Sequence, residues 1–446
     1  MSGKVGMYDR RITFLLMAIL VELMVLPKLP TRSLIGYPVY MSYLLIFSVG
    51  LFACFTRREI RYITTPILVM IGSIIFGTLI AALFFGLDLW SSFVGRTSSC
   101  GLIWYVLLPG SIGLGYLLSK GQIRYEIVFA CLLIAVALVL LLTYYPALSN
   151  VLIRVYSISE RVTGAYLMWR SPGMYNGAEK SACAINMILL ILVIGSIQKQ
   201  VPRWFVFVGS AAAAVHHMVI ATRGGIGLLG LILLAYFRQT YTLPRKLFYA
   251  LIAALVVGII LWSGIASLNI GSIQPYMDKL SSRFSQVSYM TSRIRESLLD
   301  TKSSDFILTR PLSHLKIFYA RWVKSPILGS GLSEDKNKPP FDYRGYHNIW
   351  LIVLAGGGVT GFLALVWSVR RISRLQFILV LPFFIPGLTN GFPDLAPAQC
   401  IYGILVGHLL GTQWRQWRML RESQEIPEAD EEKELAAVQS NSSRVE

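Results

Sequence analysis

The sequence predicts an all-α fold: a polytopic transmembrane helical bundle of about 12 spans, with a long helical extracytoplasmic loop before span 10. Three observations carry this. Hydrophobic residues make up 55% of the chain and charged residues only 14%. Apolar runs repeatedly approach the roughly 20 residues, at about 1.5 Å each, that a helix needs to cross a bilayer. The basic residues behind the net charge of +18 fall in short clusters between those runs. Such clusters are orientation signals, so the distribution argues against nucleic acid as a partner and for the lipid bilayer.

In chain order the spans are expected at about 12–30, 37–55, 66–86, 101–118, 126–146, 178–196, 204–221, 224–237, 247–268, 347–367, 375–390 and 396–413. The first has a basic flank of Lys4, Arg10 and Arg11 but no small-residue cleavage site after it, which predicts a retained span and not a signal peptide. Cys54, Cys100, Cys131, Cys183 and Cys400 are scattered through mostly apolar runs, without the close pairing of a metal site or a disulfide framework, and are expected to be packing residues. Alternating spans put Arg57, Arg58 and Arg61, Lys120 and Arg124, Lys199 and Arg203, Arg238, Arg245 and Lys246, Arg370, Arg371 and Arg374, and Arg415, Arg418 and Arg421 on one side. That side is expected to be the cytoplasm. The resulting organisation is a transmembrane domain over 1–421, with an extracytoplasmic loop of about 269–346 inserted. A disordered acidic cytoplasmic tail is expected over 422–446.

The unusual residues gather on the outer face. Before the sixth span, Trp169-Arg170-Ser171-Pro172-Gly173-Met174-Tyr175-Asn176-Gly177 sets a proline and two glycines, and therefore turns, beside an arginine. Residues 204–237 form one apolar stretch broken only by His216, His217, Thr222 and Arg223. It is too short for two full spans, so the junction Thr222-Arg223-Gly224-Gly225 is expected below the outer membrane surface. An arginine at that depth is costly and usually functional, which makes Arg223 a candidate anion ligand; the plainer alternative is a snorkelling anchor.

In the long loop, Met277, Leu280, Phe284, Val287, Ile294 and Leu298 recur at helical spacing, with Lys279, Arg283, Arg293 and Arg295 at polar positions. A second amphipathic helix is predicted over about 311–324, where Leu312, Leu315, Phe318, Tyr319 and Trp322 oppose Lys316, Arg321 and Lys324 before Ser325-Pro326 stops it. His216, His217 and His408 lie inside spans, where a helix-packing hydrogen bond is the default, and His314 lies on the loop helix. His347 alone pairs a loop-to-span boundary with a glycine-rich helix, Gly356-Gly357-Gly358 and Gly361. A histidine where an apolar span meets water exchanges protons near neutral pH. Arginines, which keep their charge, hold phosphate oxygens.

His347-Asn348, nine residues, then Gly358-x-x-Gly361 resembles the His-Asn motif of the O-antigen ligases and the related O-antigen and exopolysaccharide polymerases. The order of motifs agrees. An R-x-x-G loop (Arg170 to Gly173) opens a span, T-R-G (Thr222, Arg223, Gly224) marks a helix junction, and an arginine-bearing helix from Arg310 ends in P-I-L-G-S-G at Gly331 ahead of the histidine. The resemblance covers about 160–415 and is specific as an ordered set. Ala364 stands where the ligase pattern usually has Gly, Thr or Val, and the paired R-x10-G motifs of some polymerases are not evident, so both members stay open.

The resemblance implies a metal-independent, inverting glycosyl transfer, without a cofactor, outside the bacterial cytoplasmic membrane. The donor is then an undecaprenyl-diphosphate-linked glycan. The acceptor is a lipid A-core sugar in a ligase and another lipid-linked repeat in a polymerase. Arg170, Arg223 and Arg310, with Arg321 as a fourth, are the expected ligands of the diphosphate leaving group, where fixed cations stabilise developing charge. His347 would accept or orient the acceptor proton. A sugar transporter or lipid-linked-glycan flippase also fits twelve spans with both ends inside, but it would line a path at mid-membrane, whereas here the polar groups gather on one face.

Overall fold

The structure, a computed structural model, describes residues 2–26, 40–87, 102–145, 151–152, 178–220, 222–241, 318–332, 349–384 and 396–442. The described residues are helical, with no strand among them. The helices are α1 (Ser2–Met24), α2 (Met41–Thr56, with a π turn at Ile46–Gly50), α3 (Arg58–Phe85), α4 (Leu102–Leu117), α5 (Tyr125–Tyr144), α6 (Ala178–Ile197), α7 (Arg203–Val219), α8 (Arg223–Thr240), α9 (Ile349–Leu375) and α10 (Ala396–Ser442). A short 3-10 turn at Phe377–Val380 and one helical turn at Leu381–Phe384 follow α9.

Helices α1 to α8 lie over the first eight expected spans, α9 over the tenth and the start of α10 over the twelfth. The expected ninth span, 247–268, lies outside the described residues. By length and composition, Arg58–Phe85, Tyr125–Tyr144, Lys180–Ile197 and Ile349–Leu375 are long and apolar enough to cross a membrane, and Met41–Thr56 and Gly224–Thr240 are shorter apolar helices.

Helices α3 and α10 are among those that run longer than expected. Helix α3 begins at Arg58, about two turns before residue 66, where the span was expected to open. Helix α10 carries its backbone through the acidic tail to Ser442. Disorder was expected there from charge, but Glu, Ala, Leu, Lys and Gln dominate 431–439, and these are strong helix formers that extend a helix already nucleated inside the bundle.

The core explains why helices with uniformly apolar sequences sort themselves. Helix α6 sits in the middle: 89% of its apolar window is buried, against 39% for α3 and for α5. A helix apolar on every face can take this central place. Helices α4 and α10 make the most extensive pairing. Gly403 and Gly407, one turn apart, meet Ser111 and Ile112 of α4, Gly411 meets Ser119 just beyond it, and a Cβ on Gly407 would overlap the Ile112 carbonyl oxygen. Small residues at this spacing let backbones touch, which drives association where no hydrophobic force acts between helices. Helices α3 and α9 form the next pairing, with Gly77 against the Gly356 backbone. Cys54, Cys131, Cys183 and Cys400 are buried free thiols, in keeping with packing roles.

Candidate functional site

Helix α9 is broken. Gly358 has φ 62° and ψ −163°, far from helical values. In an unbroken helix the amides of Val359 and Thr360 would sit on the carbonyls of Ala355 and Gly356. Here Val359 N–H donates to the Pro326 carbonyl at 2.9 Å and Thr360 N–H to the Ile327 carbonyl at 3.3 Å. The Ala355 and Gly356 carbonyls accept instead from Ser330 N–H and Gly331 N–H, both at 2.9 Å. The P-I-L-G-S-G turn therefore occupies the gap and satisfies both cut ends, which a bilayer interior requires. The fit depends on glycine: Gly329 and Gly331 also have positive φ, 77° and 67°, and a Cβ on Gly358 would overlap the Ile327 carbonyl oxygen.

Arg321 locks the turn. Residues 318–322 form a single helical turn, the described part of the helix predicted over about 311–324. Arg321 is 3% exposed. Its Nε donates to Ser330 Oγ at 3.0 Å and one Nη to the Gly331 carbonyl at 2.7 Å. Ser330 Oγ is also within 3.3 Å of the Ala355 carbonyl. The arginine expected to face a diphosphate thus turns two of its five N–H directions into the protein.

The second polar cluster lies where α7 meets α8. Each helix is short: the 17 residues of α7 reach about 26 Å at 1.5 Å per residue, less than the roughly 30 Å of a hydrocarbon core. Arg223 opens α8, and Thr222 precedes it as the N-cap without a side-chain capping bond. Thr222 is 2% exposed and its hydroxyl has no hydrogen-bond partner. Beneath it, Asn186 Nδ2 donates to the Gly225 carbonyl at 3.0 Å, and Asn186 Oδ1 lies 3.0 Å from His217 Nε2. Because the Gly225 carbonyl only accepts, Asn186 turns its oxygen to His217, whose Nε2 must carry the hydrogen. In the neutral ring Nδ1 is then the acceptor for His216 Nδ1–H at 3.3 Å. The bonds run one way, His216 to His217 to Asn186 to the first turn of α8. An uncapped helix N-terminus that begins with an arginine attracts an anion.

His217 and His408 thus make the helix-packing bonds expected of histidines inside spans; His408 Nε2 donates to the Gly121 carbonyl at 2.9 Å. Asn186 escaped the sequence reading. The signal was a single amide in the apolar run SACAINMILL, and polar residues inside a span rarely stand there without a partner. Of the predicted site residues, Arg321 is described in full and Arg223 by its backbone alone. Arg170, Arg310 and His347 lie outside the described residues, as does the predicted helix at 276–300. The turn 326–331 and Gly358, which belong to separate motifs in the sequence, are brought together. No family model matches the chain, and no curated protein matches it.

Proposed function

We propose that this chain is a membrane glycosyltransferase of cell-surface polysaccharide assembly. It moves a glycan from undecaprenyl diphosphate to an acceptor hydroxyl, in the manner of an O-antigen ligase. It works in the bacterial cytoplasmic membrane, with twelve spans, both termini in the cytoplasm and the reaction on the outer side. The observation that supports this best is the seating of 326–331 in the α9 break at Gly358. The arginine-helix motif and the His-Asn motif lie apart in the chain, and this joint ties the end of one to the span that begins two residues after His347.

In the reaction, the acceptor oxygen forms a bond to the anomeric carbon on the face opposite the diphosphate. The bond from that carbon to the diphosphate oxygen breaks, and the diphosphate leaves with the electron pair. His347 takes the acceptor proton, a contribution of roughly 10²–10⁴-fold. Arg170, Arg223 and Arg310 hold the leaving diphosphate, with the first turn of α8 adding its dipole. Arg321 positions the 326–331 turn. The departure at Ala364, with no evident paired R-x10-G motifs, keeps a second reading open, a polymerase in which the acceptor is another lipid-linked repeat. A null strain that accumulates single lipid-linked repeats supports the polymerase, and one that accumulates finished chains never attached to lipid A supports the ligase.

The chemistry is tested by measuring, in one nanodisc preparation, binding of an undecaprenyl-diphosphate analogue and single-turnover transfer. Arg223→Lys and Arg310→Lys keep the charge and lose the planar fork, so donor binding weakens and is only partly retained. His347→Ala lowers turnover by about 10²-fold or more with donor binding nearly intact, because a base acts in the transition state. Normal turnover of His347→Ala, or loss of donor binding as severe as in the arginine variants, defeats the assignment.

A further inference from the structure

At the end of α8 away from Arg223, the α6–α7 turn and the last residues of α8 enclose an open cleft of about 570 Å³, lined by Ser196, Lys199, Gln200, Arg203, Gln239 and Thr240 among others. None of its lining residues is acidic. Its polar groups present donors. Gln200 Oε1 already accepts from Tyr125 O–H at 2.6 Å, and Gln239 Oε1 from Gln376 Nε2 at 3.5 Å, which leaves both amides their N–H ends. Ser196 Oγ is engaged with Tyr236 O–H at 3.0 Å. The Thr240 hydroxyl is buried without a hydrogen-bond partner. Arg203 is held at the rim, its guanidinium carbon 5.0 Å from the centre of the Tyr241 ring. Lys199 takes a left-handed conformation, φ 60°, at the position after α6 that glycine usually fills, a backbone cost that sets its side chain at the cleft.

Two cations and two amide donors around one space describe an anion site. Its surroundings describe which anion. Trp204, Phe207, Val208 and Tyr241 are exposed beside the cleft, so an anion seated there has an apolar flank for attached chains. Basic pockets between spanning helices are where anionic lipid headgroups bind. We propose that this cleft binds the phosphate of an anionic phospholipid, with the acyl chains lying along the exposed aromatic face of α7 and α8. The site is separate from the reaction site proposed above and does not depend on that reading.

The test uses the purified full-length chain in detergent, with phosphatidylglycerol, phosphatidylcholine and inorganic phosphate as probes and lipid affinity read by titrated thermal shift. Phosphatidylglycerol is expected to stabilise the protein, and phosphatidylcholine and inorganic phosphate not to. Lys199→Gln with Arg203→Gln should weaken phosphatidylglycerol binding by about 30-fold. An equal loss of charge on α1, Arg10→Gln with Arg11→Gln, should leave it unchanged. Lys199→Gly keeps the left-handed backbone and removes one cation, so it should fold as well as the parent and bind the lipid about fivefold more weakly. This arm stands if the double variant does not fold. Equal shifts with phosphatidylcholine, equal shifts with inorganic phosphate alone, or full phosphatidylglycerol affinity in Lys199→Gly would each overturn the proposal.

Discussion

Arg321 is the only arginine, lysine or carboxylate buried among the described residues, and its neighbours explain its retention. Its contacts with Ser330 Oγ and the Gly331 carbonyl need two N–H vectors at fixed angles, which guanidinium supplies and ammonium does not. Arg321→Ala should lower the stability of the detergent-solubilised protein by about 1.5–3 kcal/mol, the range for hydrogen bonds to a charged group. Arg321→Lys should recover less than half of that. Thermal unfolding of the three proteins side by side checks it, and an unchanged midpoint in Arg321→Ala would show that the turn holds without the arginine. The prediction differs from that for a diphosphate ligand, whose loss weakens donor binding and leaves the apo protein as stable as before.

Between helices the decisive contacts are backbone to backbone, and glycine position sets the outcome. Gly358→Ala puts a side chain on a residue at φ 62° and against the Ile327 carbonyl, so a loss of about 2–4 kcal/mol is expected. Gly72→Ala serves as the control. Gly72 lies inside α3 with nothing within 4 Å of an added Cβ, and the change should be neutral or stabilise by about 0.5–1 kcal/mol. Equal effects at the two positions would mean that the α9 break carries no strain.

Glycine position was only partly legible in the sequence. The G-G-G run of 356–358 signals close approach, and it was read as helix contact; that it cuts the helix depends on a turn some 30 residues earlier, and no local signal reports a partner so distant. The Gly403, Gly407, Gly411 stripe was legible by spacing but needed Ser111 and Ser119 to give it meaning. Among the described residues helix existence was legible almost throughout, because a long apolar run in a chain of this composition has few alternatives. Burial was not. The runs of α5 and α6 are both apolar on every side, and only packing puts α6 in the centre.

For the whole molecule, the expected orientation makes a claim that labelling settles. A cysteine introduced near Lys302 should react with an impermeant thiol reagent in intact spheroplasts, and one near Ser373 should react only after the membrane is opened. Ser373 lies in the last turn of α9 beside Arg370, Arg371 and Arg374, with Arg371 over the Tyr62 ring at 3.8 Å and Arg374 donating to Tyr62 Oη at 2.9 Å. These contacts tie the basic end of α9 to the basic start of α3, so the two helix ends share a side. The reverse labelling pattern would invert both together and move the proposed reaction to the cytoplasm.

The seated turn also constrains how the chain is made. Residues 326–331 leave the ribosome before 355–360, yet α9 has to enter the bilayer as an apolar helix. If its two cut ends met lipid without the turn in place, four polar backbone groups would be left unsatisfied, at a cost of several kcal/mol each. A newly inserted α9 is therefore expected to be straight, and to snap into its broken form only when the 326–331 segment folds back onto it. Biogenesis on this account has a late step that follows the insertion of α9, and a chain cut between residues 332 and 349 would stop before it.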